Sequence, residues 1–147
     1  MKLSTKGRYG VKAMVDLAIR YGKEPISIKT ISERQNISEY YLEQLFSTLR
    51  KSGLIKSIRG AMGGYVLGKA PDEIRIYDIL EVLEGPIEIS HCLDTESCNN
   101  IDCCATRLVW KKIKDSIDNV TMSITLKDIV EDYMDISKLK GVTTNHE

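Results

Sequence analysis

Histidine is almost missing from this 147-residue chain, with His91 and His146 the whole supply. One lies beside the cysteines and the other next to the last residue, so no constellation for acid–base or nucleophilic catalysis can be assembled around an imidazole. Also lacking is any apolar run near the roughly 18 residues of a membrane span. Met1 to Arg8 contain no apolar stretch of the kind a secretory signal needs, and a cytoplasmic location with no membrane partner is expected. Cysteine is absent outside residues 92–104 and no Cys-x-x-Cys pair occurs, which argues against a thiol-redox enzyme. There is no excess of either charge, with 21 Lys/Arg against 21 Asp/Glu. That balance conceals a division. Residues 1–70 carry 13 basic and 5 acidic side chains, a net +8, and residues 71–147 carry the opposite −8. The first half can face a polyanion and the second cannot.

What is present is a cluster. All four cysteines fall in 13 residues, as Cys92-x5-Cys98-x4-Cys103-Cys104. Cysteines used only as small hydrophobes would scatter through the core, whereas metal ligands or disulfide partners must converge. The window is polar and poor in core-forming residues, so its ordering calls for a cross-link or a bound ion. A reducing cytoplasm favours a metal site or redox sensor over a structural disulfide. The spacings fit zinc poorly, for which pairs two to four residues apart are common, and longer gaps suit an iron–sulfur centre with two or more irons. The alternative is a set of ligand-free thiols that oxidise reversibly.

Periodicity supplies the frame. Val11, Met14, Val15, Ala18 and Tyr21 predict a helix over 5–21, ended by Gly22. Ser27 can cap a short helix through Ile28, Ile31 and Arg34, and the turn Gln35-Asn36-Ile37 leads to a second cap at Ser38. Over 39–52 a helical wheel puts Leu42, Leu45, Phe46 and Leu49 on one side and Tyr40, Gln44, Ser47 and Lys51 on the other. Gly53 stops that helix, and 54–58 and 65–67 read as strands joined by Arg59-Gly60-Ala61-Met62-Gly63-Gly64. Helix, tight turn, helix and basic hairpin make a winged helix-turn-helix. Ile76, Ile79, Leu80 and Leu83 mark a further helix closed by Gly85-Pro86. Beyond the cysteines, Val109, Trp110, Ile113, Ile117 and Val120 form an apolar stripe on a long helix, for which a second copy of the chain is the simplest cover. A short helix near 125–130 precedes a flexible tail. The expected class is mostly α with a small β wing (α+β), divided into a DNA-binding region (1–86), a cysteine loop (87–104), a dimerisation helix with a terminal helix (105–135) and the tail (136–147).

On the second helix of the turn motif, Gln44 can hydrogen-bond a base edge and Lys51 a phosphate. Glu43 on the flank accepts only from cytosine and repels phosphate, which makes it a specificity filter. Ser38, Tyr40 and Tyr41 complete the candidate contacts at the start of that helix. Arg59 sits at the hairpin tip among glycines, suited to the minor groove or a phosphate, with Lys56 and Lys69 as further phosphate contacts. The run Gly63 to Ala70 nearly matches a phosphate-binding loop, but Ala70 has no hydroxyl for Mg²⁺ and Tyr65-Val66-Leu67 is a strand, so nucleotide hydrolysis is not expected.

These residues resemble the iron–sulfur cluster regulator (IscR-type) family of transcription factors. The likeness runs to about residue 135 and rests on Lys6-Gly7-Arg8-Tyr9, Tyr41-Leu42-Glu43-Gln44-Leu45-Phe46, Leu49-Arg50-Lys51, Ser57-x-Arg59-Gly60-x-x-Gly63-Gly64-Tyr65, the cysteines at 92, 98 and 104, and Trp110. It implies a homodimer whose long C-terminal helices cross, binding near-palindromic double-stranded operators. It also implies a [2Fe-2S] cluster on Cys92, Cys98 and Cys104 plus a histidine, with Glu43 and Gln44 tuning base recognition and Arg59 in the minor groove. The family's histidine position is Arg107 here, and a guanidinium stays protonated. The fourth ligand is then Cys103, His91 or a small molecule, or the cluster is absent. A nitric-oxide-sensing branch has an acidic residue near position 8, where this chain has Arg8. A cysteine-metabolism repressor in the same family lacks the cysteines but shares Arg59-Gly60-Ala61 and Glu84-Gly85-Pro86-Ile87, so a cluster-free regulator that senses thiol oxidation or docks a metabolic enzyme is the alternative.

Overall fold

The computed structural model describes residues 3–90, 93 and 105–141. Among them the order is α1 (Thr5–Ile19), α2 (Ile28–Gln35), α3 (Glu39–Lys51), β1 (Ile55–Ile58), β2 (Gly64–Leu67), a 3₁₀ turn (Pro71–Glu73), α4 (Ile76–Glu84), α5 (Ala105–Ser123) and α6 (Leu126–Leu139). This is the winged helix expected from the sequence.

The turn between α2 and α3 is set by short polar side chains. Ser27 Oγ accepts from the Thr30 N–H at 3.1 Å and Ser38 Oγ from the Tyr41 N–H at 3.2 Å, so both predicted caps form. Between them Asn36 takes φ +54°, a left-handed conformation that Asn tolerates better than most residues, and the Ile37 N–H bonds back to Ser32 O at 3.2 Å. Asp16 of α1, a buried carboxylate, accepts from Arg34 Nε at 3.1 Å and Gln35 Nε2 at 3.0 Å and pairs with a second guanidinium nitrogen of Arg34. It clamps the end of α2 onto α1, and through the tight turn it orients α3.

The wing is more than a hairpin. β1 and β2 pair antiparallel from Ile55 opposite Leu67 to Ile58 opposite Gly64, and Tyr65 also exchanges backbone bonds of 3.0 and 2.8 Å with Ile26, just before α2. A Cβ on Gly64 would lie 2.5 Å from the Ile26 carbonyl, so only glycine permits this approach. The Tyr65 ring meets Phe46 of α3 edge-on at 4.8 Å, which fixes the wing base to the helix.

Ala13, Met14, Leu17, Ile31, Leu42, Phe46, Leu49, Ile55, Ile74, Ile79 and Leu126 form one core. α4 lies against α1 so closely that a Cβ on Gly10 would sit 2.0 Å from Leu83 Cδ1. The Glu84 carboxylate then reaches the start of α1, accepting from the Ser4 N–H at 2.7 Å, the Gly7 N–H at 3.2 Å and the Ser4 hydroxyl. A negative group there satisfies free N–H donors and opposes the helix dipole. At the other end of α4, Asp78 accepts from the Arg75 N–H at 2.9 Å and from its guanidinium at 2.9 and 3.2 Å. Partial burial pushes the Asp78 carboxyl up, and the Arg75 bonds and charge outweigh it, leaving the group below the ordinary aspartate range.

α5 has 19 residues, about 28 Å at the usual rise, and none of them is buried. The chain then returns. Ile76 N–H bonds to Ile124 O and Leu126 N–H to Ile74 O, both at 2.9 Å, and fully buried Leu126 carries α6 into the core beside α1. α3 and the two strands differ from the sequence reading by one residue at an end, and two helices differ by more. α1 ends at Ile19, two residues early, and α6 runs to Leu139, so residues 136–139, expected in the flexible tail, are helical. A Thr125–Asp128 capping box with reciprocal bonds of 2.9 and 3.2 Å starts α6, and partly buried Val130 and Met134 and buried Ser137 continue its inner face past 130.

Candidate nucleic-acid interface

The predicted apolar side of α3 is buried to the last residue, with Leu42, Leu45, Phe46 and Leu49 all in the core. Because the helix is fixed by that side, the opposite one is fixed in solvent. Tyr40, Glu43, Gln44 and Lys51 are exposed. Ser38 is exposed too, with its hydroxyl oxygen engaged as the cap. Tyr41 differs, being half-buried with its ring edge-on to Tyr9 at 5.9 Å, so its aromatic body belongs to the α1–α3 contact. Lys56 points to solvent from β1 opposite Val66, and Arg59 follows at the exposed hairpin tip.

Residues not singled out from the sequence join this face. Lys6 of α1 lines a cleft of about 230 Å³ with Tyr41, Gln44 and Thr48, which puts a cation beside Gln44. The Lys6-Gly7 step was legible as a motif, but nothing local tells that α1 begins next to α3. That proximity comes from the α1–α4 packing at Gly7 and Gly10. Thr48, exposed one turn beyond Gln44, shares its helical face and was recoverable from the wheel.

His91, Cys92, Cys98, Cys103 and Cys104, the candidates for holding a metal, lie outside the described residues. Their flanks are described. Gly85 and Pro86 close α4, and Arg107, half-buried, stands in the first turn of α5. Among the described residues no group of three His, Cys, Asp or Glu side chains could hold a metal ion. No helix among them is long and apolar enough to cross a membrane.

The model of the Rrf2 family, described as iron-dependent transcriptional regulators, matches residues 3–132. The chain belongs to the Rrf2 family. It is 50% identical over 129 residues to the HTH-type transcriptional regulator CymR of Bacillus subtilis, covering 88% of this chain and 89% of that protein. The structure of that CymR, the global cysteine regulator of B. subtilis, superimposes with a TM-score of 0.77 over 89% of this chain and 97% of that one. Identity to the regulator IscR of Pectobacterium atrosepticum is 43% over 130 residues, 88% of this chain and 79% of that protein. The structure of T. potens IscR matches with a TM-score of 0.76 at 49% identity, covering 90% and 88%. The resemblance to IscR-type regulators read from the motifs therefore holds. This Rrf2 chain is a DNA-binding transcriptional regulator, and its named relatives are regulators, not enzymes.

Proposed function

We propose that this Rrf2 protein is a cytoplasmic homodimer that binds near-palindromic operators through residues 1–86 and senses iron or redox state through a [2Fe-2S] cluster on residues 87–104. The observation that supports the DNA reading most directly is the exposed row Tyr40, Gln44 and Lys51 on a helix whose opposite side is wholly buried, next to a wing tipped by Arg59. Ser38, Tyr41 and Glu43 flank that row and Lys56 extends it to the wing. Support for a dimer comes from α5, whose Val109, Trp110, Ile113 and Val120 are exposed along one stripe. Twofold symmetry then calls for two half-sites.

The donor set fits the cluster in part. Thiolates are soft ligands suited to iron–sulfur centres, and Cys92, Cys98 and Cys104 would hold it. When bound, the group would supply a one-electron couple and lability to oxidant. Arg107 cannot ligate, so Cys103, His91 or a small molecule is the fourth donor. The second reading, a cluster-free regulator that responds to thiol oxidation or docks an enzyme of cysteine metabolism, is favoured by Arg107 and by the likeness to a cysteine regulator.

An absorption spectrum with iron and sulfide assays on anaerobically purified protein separates the two. Visible charge-transfer bands with about two irons and two sulfides per chain, lost in Cys104→Ala, are expected for the cluster. Colourless, iron-free protein that still shifts DNA selects the second reading. On either reading Arg59→Ala weakens operator binding by about 1–3 kcal/mol in gel-shift titrations.

A further inference from the structure

The wing has two edges, and only one of them faces α3. β1 continues from α3, while β2 is joined on its outer side to Ile26 by the paired Tyr65 backbone bonds. On that outer side a groove of about 720 Å³ runs between the hairpin and the end of α1, lined by Arg20, Lys23, Glu24, Thr30, Met62 and Gly63. Arg34 also reaches it, but its guanidinium is held by Asp16. Arg20 and Lys23 take part in no ion pair among the described residues. Met62, 74% exposed, overhangs the groove from the wing tip.

The minor groove of B-DNA is only about 6 Å wide and is walled by phosphates of both strands. A hairpin that enters it therefore has a sugar–phosphate strand on each side. Lys51 and Lys56 serve the side towards α3. On the other side the Ile26–Tyr65 bridge ties the backbone three residues beyond Lys23 to the edge of the wing sheet.

We propose that Arg20 and Lys23 form a second phosphate-contacting edge of the DNA interface, gripping the strand on the far side of the wing from α3. This rests on the wing reading given above. The edge supplies sequence-independent affinity and lengthens the footprint outward from each half-site. Glu24 on the same groove opposes it and moderates the attraction.

The test compares wild type, Arg20→Ala/Lys23→Ala and Glu24→Gln on two probes. One is a duplex of about four helical turns selected by the wild-type protein from a random pool, and the other is a random-sequence duplex of equal length. The expected result for the double variant is about 10- to 100-fold weaker binding to both probes and a log Kd against log salt slope shallower by about one per removed cation. Hydroxyl-radical footprints of the double variant should lose protection only on the backbone outside the wing-contacted minor groove. Glu24→Gln should bind both probes more tightly. Unchanged slope and footprint in the double variant, with Arg59→Ala still impaired, would overturn the second edge alone. If Arg59→Ala binds normally as well, the wing reading falls and the inference with it.

Discussion

α3 and α5 are both amphipathic helices, and the chain treats them in opposite ways. In α3 the whole apolar side is buried, from Leu42 to Leu49. In α5 no residue is buried, and Leu108, Val109 and Val120 remain 60%, 48% and 56% exposed. The first helix is held by its own chain, so its polar row has a defined direction before DNA arrives. The second has an apolar stripe that the described residues leave largely open, the pattern expected of a helix covered by another molecule. One helix is completed by its own core, and the other presents apolar residues to solvent.

The sharpest way to break this contrast is in the core side of α3. Phe46→Ala removes a fully buried ring that also braces Tyr65, and should cost about 3–5 kcal/mol in urea unfolding. A smaller loss, about 2 kcal/mol, is expected for Asp16→Asn, because Arg34 and Gln35 lose their shared carboxylate. If that loss were no greater than for Lys111→Ala in the exposed Lys111–Asp115 pair of α5, about 0.5 kcal/mol, then Asp16 would not be the clamp that orients α3.

Asp78, at the start of α4, comes next. Its carboxyl is depressed in the folded protein, so its contribution is present above the unfolded aspartate value near pH 3.9 and is lost as pH falls through the lower folded value. Asp78→Asn should reduce stability at neutral pH by about 1 kcal/mol, as for loss of an N-terminal cap, and the two proteins should converge in acid. Chemical unfolding at pH 7 and at pH 2–3 checks both halves. Smallest for the fold is Ile113→Asp on α5, which should change chain stability by about 0.5 kcal/mol or less while sedimentation velocity shows dimer converted to monomer. A stability loss like that of Phe46→Ala would erase the distinction between the two helices.

The sequence made α3 readable because everything that defines it is local: Ser38 three residues before the N–H it caps, four apolar residues at helical spacing, Gly53 after the end. The wing strands were legible for the same reason. What escaped was contact between distant residues. Nothing near Glu84 says that its carboxylate caps a helix 80 residues earlier, nor does Ile26 announce a strand partner in Tyr65. α6 looked short because Glu131, Asp132 and Asp135 crowd its outer side and hide an inner side that only α1 makes sense of. On the exposed face of α3, Gln44 and Lys51 could be placed from a wheel. Lys6 could not, since it reaches that face through tertiary packing.

The return of the chain at Leu126 has a further consequence. Because Ile74 and Ile76 hold the backbone at residues 124–126, α5 is anchored at its C-terminal end, and along its length it packs on α4, with Ile117 and Thr121 lining a cavity beside Leu80 and Pro86. The chain between Gly85 and α5 therefore joins two anchored elements. Doubling the length of a loop between two fixed ends costs only about 0.6 kcal/mol of closure entropy. A connection of that kind can change in length at little cost to the helix that carries Gln44 and Lys51.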